Sequence, residues 1–225
     1  MAVRKVVISI DEFYHLYSRG VDKRVIFLDD DDRNRFVRLL YLCNGTKALN
    51  YRDTRGLKLS DIGTGDKLVG IGAYCLMPNH FHLLVKEVNE GGIVKFMSKL
   101  LTAYSSYFNK KYERTGALFS SEFKSEHANS DVYLRYLFAY IHLNPVKLVD
   151  PDWRERQTDT EVVKSFLKRY WYSSFLDYID DGREERLILN EQVFPTYFTD
   201  SSDFLTQMYD WLSTDFSQGL PSVKI

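Results

Sequence analysis

Four segments of the chain have the apolar runs, bounded by turn residues, that are typical of β-strands. The sequence EFYHLYSRG at residues 12–20 reads as a strand that a glycine ends. Residues 67–77 and 80–88 are also strand-like, and only a Pro-Asn dipeptide separates them. So short a connection predicts that these two strands pair antiparallel. A fourth, short strand is predicted near Phe123.

Helical spacing of apolar positions marks three segments between and after these strands. Residues 29–43 begin with four aspartates, which suit the positive end of a helix dipole, and continue with one apolar face. Residues 91–112 carry the clearest helical repeat in the chain. A third helix is predicted after Ser130, a suitable N-cap, and should stop before Pro145.

The predicted order is strand, helix, strand, strand, helix, strand, helix. Antiparallel neighbours with interspersed helices indicate an α+β sandwich whose helices pack on one sheet face. Residues 1–150 would form this domain, and residues 151–225 a helical, acidic extension packed on or beside it. Helix candidates in the extension lie near residues 160–171 and 201–214, whereas residues 44–66 are predicted to be a long loop.

The composition indicates the class of protein and its cellular compartment. The chain is 44% hydrophobic and 15% aromatic, as folded globular proteins are. It shows neither a signal-peptide stretch nor a membrane span, and its two cysteines form no CxxC pair, so we predict a cytoplasmic protein with reduced thiols. Residues 1–150 carry a net charge of +5 and residues 151–225 a net charge of −6. Either chance or a polyanionic partner of the basic part accounts for this asymmetry.

Two of the five histidines lie two residues apart in the apolar run CLMPNHFHLLVKE. Because alternate residues of a strand point to the same face, His80 and His82 would lie side by side. Such a pair can hold one metal ion through two imidazoles. It is also compatible with two hydrogen-bonded histidines on a solvated sheet face, so the pair alone leaves both readings open.

The third predicted helix supplies a candidate reacting group. Tyr140 and Asn144 are four residues apart and would share a helix face. A tyrosine hydroxyl can act as a nucleophile, and an amide oxygen can complete the coordination of a hard metal ion. The alternatives are that Tyr140 is a core residue with a hydrogen-bonded hydroxyl and that Asn144 caps the helix. On the same helix, Asp131, Arg135 and His142 are predicted to face solvent.

The order of several motifs resembles that of a known enzyme family. MPNHFHLLV, YFNKKYERTGALFSSEFKS, YIHLNPVKL and WYSS occur as they do in single-tyrosine HUH transposases, and the chain looks closest to the group associated with repetitive extragenic palindromes. YHLYSRGVDKRVIFLDDDDR also resembles the first strand and helix of that family. The resemblance covers roughly residues 12–175.

The resemblance implies a ferredoxin-like sandwich with a central antiparallel sheet. It implies that His80, His82 and Asn144 bind Mg²⁺ or Mn²⁺ and that Tyr140 is the nucleophile. The reaction would be cleavage and rejoining of single-stranded or hairpin DNA through a 5′-phosphotyrosine, as in DNA transposition, by a monomer or homodimer. Seven basic residues near the motifs are the predicted contacts with the DNA backbone: Arg19, Lys95, Lys99, Lys110, Lys111, Arg114 and Lys124.

Two positions depart from the family pattern. Phe119 stands where the family usually has a tryptophan, and Glu122 stands where it has a basic residue. Together with the low net charge, these departures count against tight DNA binding and against mobility of the gene in the genome. They do not affect the predicted metal ligands. They keep open a second reading, a non-catalytic module that binds DNA hairpins and descends from a transposase. A third reading is an unrelated metal hydrolase that uses the two histidines and does not need Tyr140.

Overall fold

A four-stranded antiparallel sheet forms the centre of the protein, whose computed structural model describes residues 7–120, 122–155 and 159–213. All strand pairs within it are antiparallel, and the strand order is β2-β3-β1-β4. The strands are β1 (Phe13–Arg19), β2 (Val69–Met77), β3 (His80–Glu87) and β4 (Lys124–His127). With the helices that alternate with them, they confirm the predicted ferredoxin-like α+β fold.

Three helices pack on this sheet. Helices α1 (Asp30–Cys43) and α2 (Gly92–Lys111) contact each other and cover one face, where the rings of Phe36 and Phe81 lie 4.9 Å apart. Helix α3 (Asp131–Leu143) covers the opposite face. The prediction that the helices share one face is therefore wrong. Nearly every residue of β2 and β3 is buried, because both faces of these central strands need cover.

The helix ends follow the predicted sequence signals. Asp29 caps α1 with its side chain, so the aspartate run belongs to a helix start as expected. Ser130 caps α3 in the same way. After α3 the chain tightens into a 3-10 helix, Asn144–Leu148, with Pro145 in its first turn. The end of α3 therefore places Asn144 one turn beyond Tyr140.

The loop predicted at residues 44–66 contains two short 3-10 helices, Tyr51–Thr54 and Leu59–Asp61. Of the predicted helix near residues 201–214, the final residue lies outside the part of the chain that the structure describes. Within the described ranges, no helix has both the length and the apolar character that a membrane crossing requires.

Described segments after residue 150 pack along the edge of the sheet and on α3. Residues 172–174 run beside β2 and form backbone hydrogen bonds of 2.9 and 3.0 Å with Leu76 and Tyr74. Two helices follow the predicted pattern, α4 (Thr160–Leu167) and α5 (Ser201–Leu212), and α5 packs against α3. The division of the chain into two units at this point stays a prediction.

The prediction that His142 faces solvent is wrong, although Asp131 and Arg135 of the same stripe are exposed. His142 is fully buried, and its ring lies 5.2 Å from those of both Tyr178 and Phe204. Helical periodicity takes no account of other segments that pack on a helix. Here the segment after residue 150 covers the last turn of α3 and buries His142.

Candidate active site

The sheet face that α3 covers carries a row of polar side chains. In the pairing of β1 with β3, Arg19 lies opposite His80 and Tyr17 lies opposite His82. Opposed residues of antiparallel strands point to the same face, and alternate residues along a strand share it. His15 therefore joins this row from β1. The structure thus brings the two motif histidines together, with ring centroids 4.9 Å apart.

Helix α3 brings Tyr140 onto the histidine pair. Its ring lies edge-on to that of His82, with centroids 5.4 Å apart and an interplanar angle of 89°. Burial raises the pKa of Tyr140 above its ordinary value, while the charge of Arg154 and the side chain of Asn144 oppose this rise. Tyr140 therefore lies against the histidine pair, and the Asn144 side chain lies beside Tyr140.

Several polar atoms of this cluster are buried without a hydrogen-bond partner among the described residues. They are Nε2 of His80, Nε2 of His82, the Tyr140 hydroxyl and both amide atoms of Asn144. All four side chains are at most 8% exposed. Tyr140 is part of the buried core, as one alternative reading expects, but no described residue satisfies its hydroxyl. Asn144 occupies the C-cap position of α3, where its backbone N–H bonds to Ile141 O, so the capping reading holds for the backbone and leaves both side-chain amide atoms without a partner.

The orphaned atoms fit a divalent metal ion. Unpaired buried polar groups are costly, and an ion bound by the two imidazole nitrogens and the amide oxygen would satisfy three of these atoms. In the described part of the chain, no cluster of three or more His, Cys, Asp and Glu side chains could hold a metal. The buried and unpaired Asn144 Oδ1 is a candidate third protein ligand beside His80 and His82.

Both motif imidazoles are neutral and oriented. Burial lowers the pKa of His80 to about 3 and lowers that of His82 well below its usual value. Neutral imidazole is the form that binds a metal. His80 Nδ1 lies 2.6 Å from Asn79 Oδ1, and His82 Nδ1 lies 2.8 Å from His15 Nε2. These contacts leave Nε2 as the free nitrogen of each ring.

Sequence reasoning missed two neighbours of the histidine pair. His15 is fully buried, and its Nδ1 lies 3.9 Å from Glu126 Oε2. Glu126 also accepts a hydrogen bond of 2.9 Å from the Tyr17 hydroxyl. A signal was present, because His15, Tyr17 and Arg19 alternate along β1 with the period of a strand.

Two cations were also missed, Lys147 near the histidine pair and Arg154 near Tyr140. After burial, the charges of Arg19 and Lys147 contribute most to the low pKa of His80. Burial and the charges of Arg154 and Arg19 lower the pKa of Lys147 in turn. The guanidinium carbon of Arg154 lies 4.9 Å from the centre of the Tyr140 ring. Cations gathered in this way can hold a phosphate group.

The predicted DNA contacts divide between the two faces of the sheet. Arg19 and Lys124 lie on the face of the histidine pair, where the Lys124 ammonium is 5.7 Å from the centre of the Tyr17 ring. The other five belong to α2 or directly follow it, on the opposite side of the sheet: Lys95, Lys99, Lys110, Lys111 and Arg114. Nearness in sequence to the motifs did not place these five beside the site.

Three of these five side chains already have partners on that opposite side, and one of them, Arg114, donates to Asn109 Oδ1 at 2.9 Å. Lys99 donates to the backbone carbonyl of Gly45. Lys111 forms ion pairs of 2.7 Å with Asp29 and 2.9 Å with Asp32. Their positions do not support direct contact with a phosphate bound at the histidine pair.

The two departures from the family pattern also lie away from the histidine pair. Phe119 is buried among the side chains of the α1 and α2 layer, with its ring 6.0 Å from that of Phe81. Glu122 is exposed and lies beside the groove along α2. The ligand set is therefore untouched by either departure.

Comparison with known proteins places a family signature on the same segment. Residues 61–144 match the family described as "Transposase IS200 like". This range contains His80, His82, Tyr140 and Asn144, and the match confirms the predicted resemblance. Among solved structures, the chain is similar to a REP-associated tyrosine transposase bound to a REP hairpin, with 13% identity, a TM-score of 0.47 and 100% coverage of both chains. No curated protein sequence matches the chain.

Proposed function

On the premise that this chain is a relative of the IS200-like, single-tyrosine transposases, we propose that it cleaves and rejoins single-stranded DNA. Tyr140 would be the nucleophile, and His80, His82 and Asn144 would hold Mg²⁺ or Mn²⁺. The observation that carries the proposal is the set of buried polar atoms without partners, contributed by these four residues. A site whose ligands are already oriented but unsatisfied is what a metal-dependent reaction requires.

The reaction follows from the chemistry of a phenol and a phosphodiester. A divalent ion at the three ligands would polarise the scissile phosphate and offset the charge that develops on it. The Tyr140 oxygen forms a bond to phosphorus while the bond to the 3′ oxygen breaks. The products are a 5′-phosphotyrosine and a free 3′-OH, with the phenolic proton transferred to the leaving oxygen or solvent. The link between Tyr140 and the DNA is itself a phosphodiester, and it conserves the energy of the broken bond. Rejoining therefore needs no nucleotide cofactor.

The cations around Tyr140 would serve the same step. A buried tyrosine resists ionisation, as the raised pKa of Tyr140 shows. The guanidinium of Arg154 beside its ring stabilises negative charge as it develops on the phenolic oxygen. Arg19 and Lys147 lie by His80, where they would contact the non-bridging oxygens of the phosphate.

The direct test is the formation of a covalent protein–DNA adduct. We expect the protein, incubated with Mn²⁺ and hairpin-bearing single-stranded DNA from its own genome, to give an adduct on a denaturing gel. Addition of EDTA should prevent its formation. A non-catalytic hairpin-binding module would retard DNA on a native gel but give no adduct. An unrelated metal hydrolase would cut the DNA without becoming attached to it, and either result would overturn the proposal.

The face that the DNA occupies can be tested with two matched lysines. Lys124 and Lys95 are both exposed, but Lys124 lies on the face of the histidine pair and Lys95 on the α2 side. We expect Lys124→Gln to weaken binding of single-stranded DNA and to reduce the salt dependence by about one phosphate contact. Lys95→Gln should leave both unchanged. Fluorescence anisotropy at several salt concentrations measures both quantities, and the reverse pattern would place the DNA along α2.

A further inference from the structure

The geometry points to a positioning role for His15 and Glu126. We propose that the pair fixes the orientation and tautomer of His82. The His82 proton then lies on Nδ1, and the lone pair of His82 Nε2 faces the other candidate metal ligands. Only the effect on metal affinity rests on the proposed function, since the tautomer is a property of the metal-free protein.

The contact between the two rings is short and shielded from water. His15 Nε2 and His82 Nδ1 lie 2.8 Å apart, and both residues are fully buried. Their rings are nearly parallel, with an interplanar angle of 18° and centroids 5.0 Å apart. A neutral imidazole has one donor nitrogen and one acceptor nitrogen. One of the two rings must therefore donate to the other.

Glu126 decides the direction of that hydrogen bond. Its carboxylate can only accept, and Oε2 lies 3.9 Å from His15 Nδ1. A proton on His15 Nδ1 faces this negative charge favourably and leaves Nε2 to accept from His82 Nδ1–H. The opposite arrangement would turn the His15 Nδ1 lone pair toward the carboxylate. It would also put the His82 proton on Nε2, where it would prevent coordination.

The carboxylate itself is held in place. Glu126 lies opposite His15 in the pairing of β1 with β4. The Tyr17 hydroxyl donates to Oε1 at 2.9 Å, and the Tyr133 hydroxyl donates to Oε2 at 3.2 Å. Two hydroxyl donors keep the carboxylate oriented, so the preference it imposes on His15 is built into the fold.

The other motif histidine has an equivalent arrangement. His80 Nδ1 contacts Asn79 Oδ1 at 2.6 Å, so an acceptor occupies Nδ1 in both rings. Outer hydrogen-bond partners of this kind fix the tautomer of metal-binding histidines. The Nε2 atom of His15 is already engaged with His82, which makes His15 a partner of the ligand rather than a ligand.

Two substitutions of His15 separate hydrogen bonding from packing. His15→Gln retains an oxygen that can accept from His82 Nδ1–H, whereas His15→Leu retains bulk without an acceptor. Long-range ¹⁵N–¹H correlation spectra of the metal-free protein report the His82 tautomer. We expect Nδ1–H in the wild type and in His15→Gln, and loss of this preference in His15→Leu. Titration calorimetry with Mn²⁺ should show affinity about 10- to 100-fold lower for His15→Leu, with most of the affinity restored in His15→Gln.

Glu126→Gln provides a second variant with a matched control. It removes the negative charge and keeps one oxygen to accept from a tyrosine hydroxyl, and we expect it to weaken the Nδ1–H preference of His82 and the Mn²⁺ affinity. Glu122→Gln makes the same change at an exposed position beside α2 and should alter neither. An Nε2–H tautomer of His82 in the wild type would overturn the inference without any variant. If the wild type shows Nδ1–H but binds no Mn²⁺, the proposed metal site fails while the tautomer assignment is supported.

Discussion

We expect the Tyr140→Phe variant to form no covalent adduct with DNA and to release no cleaved strand. The substitution removes one oxygen, which is the atom proposed to attack phosphorus. Because that hydroxyl has no hydrogen-bond partner among the described residues, its loss should change the free energy of unfolding by no more than about 1 kcal/mol. Denaturing gels with hairpin-bearing single-stranded DNA and Mn²⁺ measure the first effect, and thermal unfolding measures the second.

Tyr136→Phe is the matched control for this experiment. Tyr136 is also buried on α3, and its ring lies 5.8 Å from that of Tyr140. Its variant should still form the adduct. An adduct that persists in Tyr140→Phe and disappears in Tyr136→Phe or Tyr133→Phe would reassign the nucleophile. A large loss of stability with cleavage preserved would instead indicate that Tyr140 has only a structural role in the core.

The second large effect is expected for His80→Ala. The variant removes one of two nitrogen ligands, so Mn²⁺ affinity should fall by more than the roughly 100-fold that loss of an outer partner of a ligand can cause. Cleavage should become undetectable at metal concentrations that saturate the wild type. Titration calorimetry and the adduct assay measure these losses on the same preparation.

His127→Ala is the control for removal of a histidine. His127 contacts Glu12 at 2.7 Å, and it lies opposite Tyr14 rather than on the face of the histidine pair. We expect its Mn²⁺ affinity and adduct yield to equal those of the wild type. Equal Mn²⁺ binding by His80→Ala and the wild type would place the ion elsewhere and remove His80 from the ligand set.

The local part of the site could be predicted because it depends on short-range periodicity. A strand period of two places His80 and His82 on one face, and a helix repeat places Asn144 one turn after Tyr140. The N-cap at Ser130 and the stop near Pro145 also depend on neighbouring residues alone. Each of these expectations needed a few consecutive residues and no knowledge of the packing.

The rest of the site could not be predicted because it depends on packing between distant segments. The sequence does not state which sheet face α2 covers, so Lys95 and Lys99 were expected near the histidine pair. The register that puts Glu126 opposite His15 joins β1 to a strand more than a hundred residues away. Arg154 reaches Tyr140 from beyond α3, where helical spacing gives no guide. The same limit explains why His142 appeared to face solvent.

Residues 172–174 limit edge-to-edge association between the sheets of two copies of this protein. An outer strand presents a row of unpaired amide and carbonyl groups that can capture a strand of another molecule. Here Tyr172 and Ser174 occupy that row on β2, and the other border of the sheet is formed by β4, which has only four residues. Joining two sheets through β2 would first require this segment to detach. A chain truncated at residue 150 would leave the border of β2 bare and prone to aggregate.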